Sequence, residues 1–179
     1  MLAVAKYKSD AIGAEADWVC SDIIETPSTL DNTADLVYTG CGALPWMMDI
    51  NAWAAVVERL LKSGGKLFVF EGHPLDWVWD NSANEYRLDT LQGNYYSNEL
   101  NDMRWPMTFL ESQVRPTAAP TAREHQWTLG DIINSLVEVG LVLEHFDEYP
   151  TLFWNQFPNL PAEIACRLPH TFSLLMRKH

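Results

Sequence analysis

The stretch from residue 35 to residue 70 limits the possible folds of this chain more than any other feature. Its first apolar run, DLVYT, ends at Thr39. From Asp49 to Lys62, apolar residues recur at intervals of three and four, which predicts an amphipathic helix with Asp49 as its N-cap. The next run, LFVF at 67–70, is continuously apolar, as in a strand buried on both faces of a parallel sheet. The stretch therefore predicts a strand–helix–strand unit.

The flanking sequence extends this unit to an α/β fold. We expect an N-terminal helix over 1–13 and a short strand, ADWVCSD, over 16–22. The later elements are a helix with a capping box at Thr128 and two final strands, LVLEHFDEY (141–149) and TFSLLMRK (171–178). We predict one domain over 1–179, with a doubly wound, mostly parallel sheet and an antiparallel C-terminal edge.

The composition argues against several functions. A net charge of −12 with scattered basic residues argues against a nucleic-acid groove, although the charge also serves solubility. The sequence lacks the apolar core of a signal peptide and any apolar run long enough to cross a membrane, so we expect a soluble, cytoplasmic protein. Cys20, Cys41 and Cys166 have no metal-ligand spacing, so we expect reduced thiols and no metal.

Polar and glycine residues follow the predicted strands, where open α/β sheets bind ligands. Gly40 and Gly42 leave backbone uncovered around Cys41, which suits either a ligand lying on peptide groups or a flexible turn. Asp22 could accept a hydrogen bond from a ribose hydroxyl or an exocyclic amine, or could be an ordinary loop residue. His73 could be a general base or a structural histidine.

An aromatic-rich insertion is predicted over about residues 75–123, which show no regular period. Trp77 and Tyr95 from this insertion, with Trp46, could form a lid over an apolar or cationic ligand, or could be local core. The motifs G-x-S-x-G, G-x-G-x-x-G and H-E-x-x-H and the Walker loop do not occur in the sequence. Hydrolase, P-loop and zinc-protease functions therefore lack their usual support.

Several motifs also occur together in one known family. The segment from DLV through YTGCGAL and LLKSGGKL to FEGHP, with HQWTLGDI and the terminal FSLLMRK, resembles bacterial class I S-adenosylmethionine-dependent methyltransferases, in particular a UbiE-like subgroup. The resemblance covers essentially the whole chain. It implies a Rossmann-like sheet, S-adenosylmethionine as the cofactor and a small-molecule methyl acceptor.

The resemblance also implies roles for individual residues. An acidic side chain and a neighbouring backbone N–H would read the adenine, and the end of the strand at 35–39 would line the methionine part of the cofactor. The implied cofactor contacts are Asp22, Ile23, Thr39, Gly40, Cys41 and Gly42. The expected acceptor contacts are Trp46, Trp77 and Tyr95, beside Glu71–Pro74. If the reaction uses a catalytic base, His73 is the candidate.

The same resemblance places the family's glycine-rich loop and first two strands upstream of Met1. Such a gap would uncover several apolar side chains, each worth roughly 1.5–3 kcal/mol when buried. We therefore expect either a longer gene product or a second chain, such as a homo-oligomer partner, covering the edge of the strand at 35–39. Two other functions stay open: a non-catalytic methyltransferase-like module for oligomerisation or partner binding, and an unrelated nucleotide-binding α/β domain. No pattern identifies the methyl acceptor.

Overall fold

A computed structural model describes residues 2–91, 93–97, 100–104 and 121–179. Its helices are α1 (Leu2–Ile12), α2 (Ile50–Leu60), α3 (Leu129–Glu138) and α4 (Ala162–Ala165). Its strands are β1 (Ala34–Gly40), β2 (Leu61–Gly72), β3 (Leu100–Arg104), β4 (Thr121–His125), β5 (Val142–Tyr149) and β6 (Thr171–Arg177). The main sheet has the order β1-β2-β6-β5, and β3 and β4 form a separate antiparallel pair.

The main sheet is mixed. β1 pairs with β2 in parallel, whereas β6 is antiparallel to both of its neighbours, so β6 alone runs against the other three strands. This arrangement agrees with the predicted α/β class, and the two C-terminal strands pair antiparallel at one edge of the sheet, as predicted. The prediction of a mostly parallel sheet is corrected, because only the pairing of β1 with β2 is parallel within the described residues. The burial patterns agree with this strand order: β6, inside the sheet, is buried along most of its length, whereas nearly all of β5, at the edge, is exposed.

The predicted strand–helix–strand unit is present. Asp49 is the N-cap of α2, and its side chain accepts a hydrogen bond from the backbone N–H of Ala52 at 2.9 Å. The helix ends at Leu60, two residues before the predicted end, because Leu61 already belongs to β2. Inside β2 the pairing with β1 shifts register between Leu61 and Lys66, and Gly64 in this irregular stretch has a φ of +78°.

The core lies between one face of the sheet and the pair α2 and α3. Trp53 and Val57 of α2 and Ile132 and Leu136 of α3 are buried with Leu67, Val69, Phe172, Leu174 and Met176 of the sheet. Thr128 caps α3 through the predicted capping box, in which its side chain and that of Asp131 each bind the other's backbone N–H. Packing on this face fixes the carboxyl ends of β1 and β2, where the candidate site lies.

The predicted strand at 16–22 is wrong, because this segment has no regular secondary structure. Trp18 and Val19 are 42% and 45% exposed. Alternating apolar residues form a strand only when a partner satisfies their backbone groups, and within the described ranges this segment pairs with none.

The outer edge of β1 is also unpaired within the described part of the chain, and its Leu36 and Tyr38 are 59% and 55% exposed. Covering of this edge by a further strand or a second copy stays a prediction.

The aromatic insertion predicted at about 75–123 is described only in part, because residues 92, 98, 99 and 105–120 lie outside the described residues. Among the helices that the structure does describe, none has the length and apolar character needed to cross a lipid bilayer. In the same ranges, no cluster of three candidate metal ligands occurs.

Candidate functional site

The loop that follows β1 is held by a buried carboxylate on the neighbouring strand. Oε2 of Glu71 accepts a hydrogen bond from the N–H of Gly42 at 2.6 Å, and its Oε1 accepts from Ala43 at 2.7 Å and from Leu44 at 3.1 Å. Glu71 itself is only 1% exposed. Three successive backbone N–H groups therefore converge on one side chain, which fixes the position of the loop relative to β2.

Burial also changes the acidity of this carboxyl group. It raises the pKa of Glu71, and the backbone hydrogen bonds, which favour the ionised form, only partly oppose this effect. The negative charge at the ends of β1 and β2 is therefore that of Glu71, which takes up a proton at a higher pH than a surface glutamate does.

The backbone conformation of this loop explains why glycine occurs on both sides of Cys41. A Cβ atom at Gly40 would lie 2.4 Å from the hydroxyl of Tyr38 and 2.6 Å from the carbonyl oxygen of Phe70, so only glycine fits there. Cys41 and Gly42 both take left-handed conformations, with φ of 59° and 89°. At Gly42 an added Cβ would meet no atom within 4 Å, so its open side faces free space.

A cleft opens next to this loop, at the carboxyl ends of β1 and β2. It is narrow: its cavity volume is about 20 Å³, which is room for about one water molecule. Its lining is mainly apolar, and its two ionisable side chains are those of Glu71 and His125. The residues that line it are Leu44, Pro45, Glu71, Gly72, Pro74, Trp77, His125, Trp127, Ile132 and Phe172. Strand ends of this kind are where ligands of open α/β sheets bind, so the cleft is the candidate functional site.

His125 and Trp127 form one wall of the cleft. Their rings are stacked, with centroids 3.6 Å apart and planes only 7° from parallel. Trp127 is anchored by a hydrogen bond of 2.8 Å from its Nε1 to the carbonyl oxygen of Met47. The sequence analysis noted these two residues only within the motif HQWTLGDI, because no local pattern shows that a segment just before α3 reaches the ends of β1 and β2. Glu71 was placed beside the expected acceptor contacts, but its hydrogen bonds to the loop after β1 were not predicted.

The structure gives His73 a different role from the expected catalytic base. Its Nδ1 accepts a hydrogen bond from the N–H of Leu75 at 3.0 Å, so the ring proton is on Nε2, which lies 2.8 Å from Oε1 of Glu148. The side chain is almost fully buried. Both nitrogens are engaged, and His73 has no free lone pair with which to take a proton from a substrate.

The other expected site residues are only partly brought together. Thr39 is buried at the end of β1, and Trp77 lines the cleft. Trp46 is 43% exposed in the turn after the loop. Tyr95 instead supports α3, because its hydroxyl accepts a hydrogen bond from the N–H of Leu129 at 3.2 Å.

Asp22 and Ile23 are exposed and make local contacts. The Asp22 carboxylate accepts a hydrogen bond from the N–H of Ile24 at 3.1 Å, and the carbonyl oxygen of Ile23 accepts from the N–H and the hydroxyl of Thr26. Among the described residues, no hydrogen bond joins this turn to the loop after β1. Their role in binding adenine stays a prediction.

A buried polar cluster joins three segments close to the cleft. His170 Nδ1 lies 2.6 Å from Oδ1 of Asp76, and the Tyr86 hydroxyl lies 2.8 Å from His170 Nε2. Gln156 donates a hydrogen bond to the second oxygen of Asp76. Burial alone would lower the pKa of His170, but the hydrogen bond and charge of Asp76 outweigh it, so the pKa is raised. Burial raises the pKa of Tyr86 to about 12.

No protein-family profile matches this sequence, and no curated protein is similar to it in sequence. Its structure, however, is similar to that of an S-adenosylmethionine-dependent methyltransferase from Mesorhizobium loti, with a TM-score of 0.64 at 18% identity over 97% of this chain and 75% of that chain. A methyltransferase of the same kind from Clostridium acetobutylicum gives a TM-score of 0.61 at 14% identity, over 99% and 70% of the two chains. The [4+2]-cyclase SpnF gives 0.56 at 17% identity, over 98% and 61%. The chain therefore has the Rossmann-like fold of S-adenosylmethionine-dependent methyltransferases.

Proposed function

We propose that this chain is an S-adenosylmethionine-dependent methyltransferase that acts on a small-molecule acceptor. The observation that carries the proposal is the loop after β1, where Gly42 faces open space and Glu71 holds the backbone at the end of a parallel strand pair. The cofactor would lie against this loop, and the acceptor would bind at the mouth of the adjoining cleft. The similarity in fold to known methyltransferases supports this arrangement.

The residues of the loop fit such a cofactor. S-adenosylmethionine supplies an electrophilic methyl group on a positively charged sulfur. The open side of Gly42 leaves room for a ligand against the main chain, and the carboxylate of Glu71 favours a positive charge at the cleft. The N–H groups of Gly42, Ala43 and Leu44 are already bound to Glu71, so contacts to the cofactor there come from other main-chain atoms. Asp22 and Ile23 remain the proposed adenine contacts.

Methyl transfer by in-line displacement needs alignment of the acceptor more than it needs acid–base chemistry. The side chains of Trp77 and Trp127 give the cleft a rigid apolar wall that orients a small molecule and excludes water. His73, with both ring nitrogens engaged, serves to fix the start of the segment after β2. The chain's own contribution is therefore positioning and the exclusion of water.

Calorimetric titration with S-adenosylhomocysteine, the product form of the cofactor, tests this proposal. We expect saturable binding to the wild-type chain and at least about tenfold weaker binding to Gly42→Asn, because asparagine tolerates the left-handed conformation but fills the open space. Gly64→Asn is the matched control. Gly64 also has a left-handed φ of +78° and open space beside it, but it lies at the opposite end of β2.

The contrary results are equally specific. If millimolar S-adenosylhomocysteine gives no heat of binding, the methyltransferase assignment for this chain is wrong. If Gly64→Asn weakens binding as much as Gly42→Asn does, the cofactor does not bind at the loop after β1. If S-adenosylhomocysteine binds but no acceptor is methylated, the result favours a reaction other than methyl transfer, since the [4+2]-cyclase SpnF has a similar fold.

A further inference from the structure

One buried nitrogen in the wall of the cleft has no partner among the described residues. His125 is 9% exposed, and its Nδ1 makes no hydrogen bond with any part of the chain that the structure describes. The ring cannot turn freely toward another partner, because it is stacked on Trp127, which is itself anchored to Met47. Buried polar atoms in native proteins are nearly always hydrogen-bonded, either to the protein or to ordered water, so this nitrogen indicates a bound partner.

The size of the cleft determines what this partner can be. Its cavity volume of about 20 Å³ is enough for one water molecule, which needs roughly 10–15 Å³, and is too small for an organic ligand. A water molecule held inside a protein usually makes about two to four hydrogen bonds, so a second polar group must lie beside it. In a cavity this narrow, that group must belong to the lining, which is otherwise mainly apolar.

The other ionisable side chain of the lining, Glu71, can accept a further hydrogen bond. Its Oε1 accepts from the N–H groups of Ala43 and Leu44, whereas its Oε2 accepts from one of the loop N–H groups, that of Gly42. An ionised carboxylate can accept about four hydrogen bonds, so the loop leaves one position on this carboxylate. Glu71 is only 1% exposed, so a water molecule that takes this position must lie inside the protein.

We propose that the cleft binds one water molecule, which joins Nδ1 of His125 to the carboxylate of Glu71. The water donates one hydrogen bond to Glu71, and it either donates its second to a bare Nδ1 or accepts one from a protonated Nδ1. The bridge ties the wall of the cleft to the side chain that holds the loop after β1, so His125 is a positioning residue for Glu71. The inference does not depend on the proposed function, because it concerns how the chain holds its own loop. One fixed water molecule in the cleft is also compatible with the exclusion of bulk water from its mouth.

Crystal structures of the wild-type chain and of its His125 variants test the proposal. In the wild type we expect one ordered water molecule about 2.5–3.2 Å from both Nδ1 and a carboxylate oxygen of Glu71. His125→Phe keeps a ring against Trp127 but offers no polar atom, so the water should be lost. His125→Asn places an amide near the position of Nδ1 and should retain the water. His145→Phe is the control, because that histidine is 66% exposed and is not among the lining residues.

The pKa of Glu71 in solution is a second measurement, and a merely structural role of the His125 ring would not change it. A hydrogen bond from water favours the ionised carboxylate, so the carbon-13 resonance of the Glu71 carboxyl group should titrate at a higher pH in His125→Phe than in the wild type. In His125→Asn and His145→Phe it should titrate close to the wild-type pH. Thermal unfolding of each variant confirms that it is folded. The proposal is overturned if the wild-type cleft holds no ordered water at Nδ1, if the water persists in His125→Phe, or if that variant leaves the pKa of Glu71 unchanged.

Discussion

The carboxylate of Glu71 on β2 holds the backbone N–H of Gly42, beyond the end of β1, at 2.6 Å, and thereby ties together two strand ends that lie 29 positions apart in sequence. Because the same carboxylate also binds Ala43 and Leu44, the form of the loop depends on one buried side chain. A ligand resting on this loop would therefore be sensitive to a change at Glu71 that leaves the rest of the sheet intact.

The substitution Glu71→Gln should destabilise the protein by about 1–3 kcal/mol, the cost of leaving a buried donor unpaired. In the wild-type protein the carboxylate oxygens accept hydrogen bonds from three backbone N–H groups. In the variant, the amide NH₂ group replaces one of these oxygens and is itself a donor, so at least one backbone N–H loses its acceptor. Urea unfolding measures the change, and Glu85→Gln on the exposed surface is the control. An unchanged midpoint would mean that the three hydrogen bonds do not support the loop.

Cys41 is a non-glycine residue in the left-handed region, with a φ of 59°, and this conformation costs roughly 1–2 kcal/mol. Replacement by glycine removes that cost and adds about 0.5–1 kcal/mol of unfolded-state entropy, so Cys41→Gly should raise stability by up to about 1 kcal/mol. Cys41→Ala keeps the strain and loses the contact of 3.7 Å between Sγ and the Tyr38 hydroxyl, so it should not stabilise. Thermal unfolding distinguishes the two, and a Cys41→Gly variant less stable than Cys41→Ala would contradict the assignment of strain.

The sequence was sufficient wherever the information is local. Asp49 and Thr128 were identified as N-caps, because a cap acts on N–H groups only a few residues away. Gly40 and Gly42 were singled out because they lack a Cβ atom, and an added Cβ at Gly40 would clash with Tyr38 and Phe70. Contact between these glycines and a ligand stays a prediction.

The failures concern pairing between distant segments. The alternation at 16–22 predicts a strand but cannot supply its partner, and the interior position of β6 depends on which strands flank it. His73 was considered as a catalytic base or a structural histidine from its place after β2, and its hydrogen bond with Glu148 of β5 could not be seen in sequence. The orphaned Nδ1 of His125 is a similar case, because only the folded chain brings it to the cleft.

The capping box of α3 provides a test of how firmly the wall of the cleft is held. Thr128 follows directly after Trp127, and its hydroxyl accepts a hydrogen bond from the N–H of Asp131 at 3.1 Å. Thr128→Ala should lower the free energy of unfolding by about 0.5–2 kcal/mol, whereas Thr128→Ser, which keeps the hydroxyl, should lose much less. Equal losses in the two variants, measured by urea unfolding, would show that the methyl group rather than the cap matters.

The buried pair of His170 and Asp76 should make stability fall as pH rises. Both groups have a raised pKa in the folded protein: burial raises that of Asp76, and Asp76 raises that of His170 against the effect of burial. The folded state therefore binds protons more tightly than the unfolded state does. The stabilisation from His170 is complete below its unfolded pKa of about 6.5 and is lost as pH rises through the higher folded value.

Urea unfolding at pH 6 and at pH 8.5 measures this dependence, and Asp76→Asn should reduce it. The variant removes the charge that raises the pKa of His170, and it should also cost roughly 3–5 kcal/mol at pH 6, because one partner of a buried pair is lost. Tyr86→Phe is the matched control: it removes the hydroxyl beside Nε2 but keeps the Asp76 charge, so the loss of stability between the two pH values should persist. If Asp76→Asn shows the same decrease as the wild-type chain, the pH dependence arises from other groups, and the buried pair does not titrate in this range.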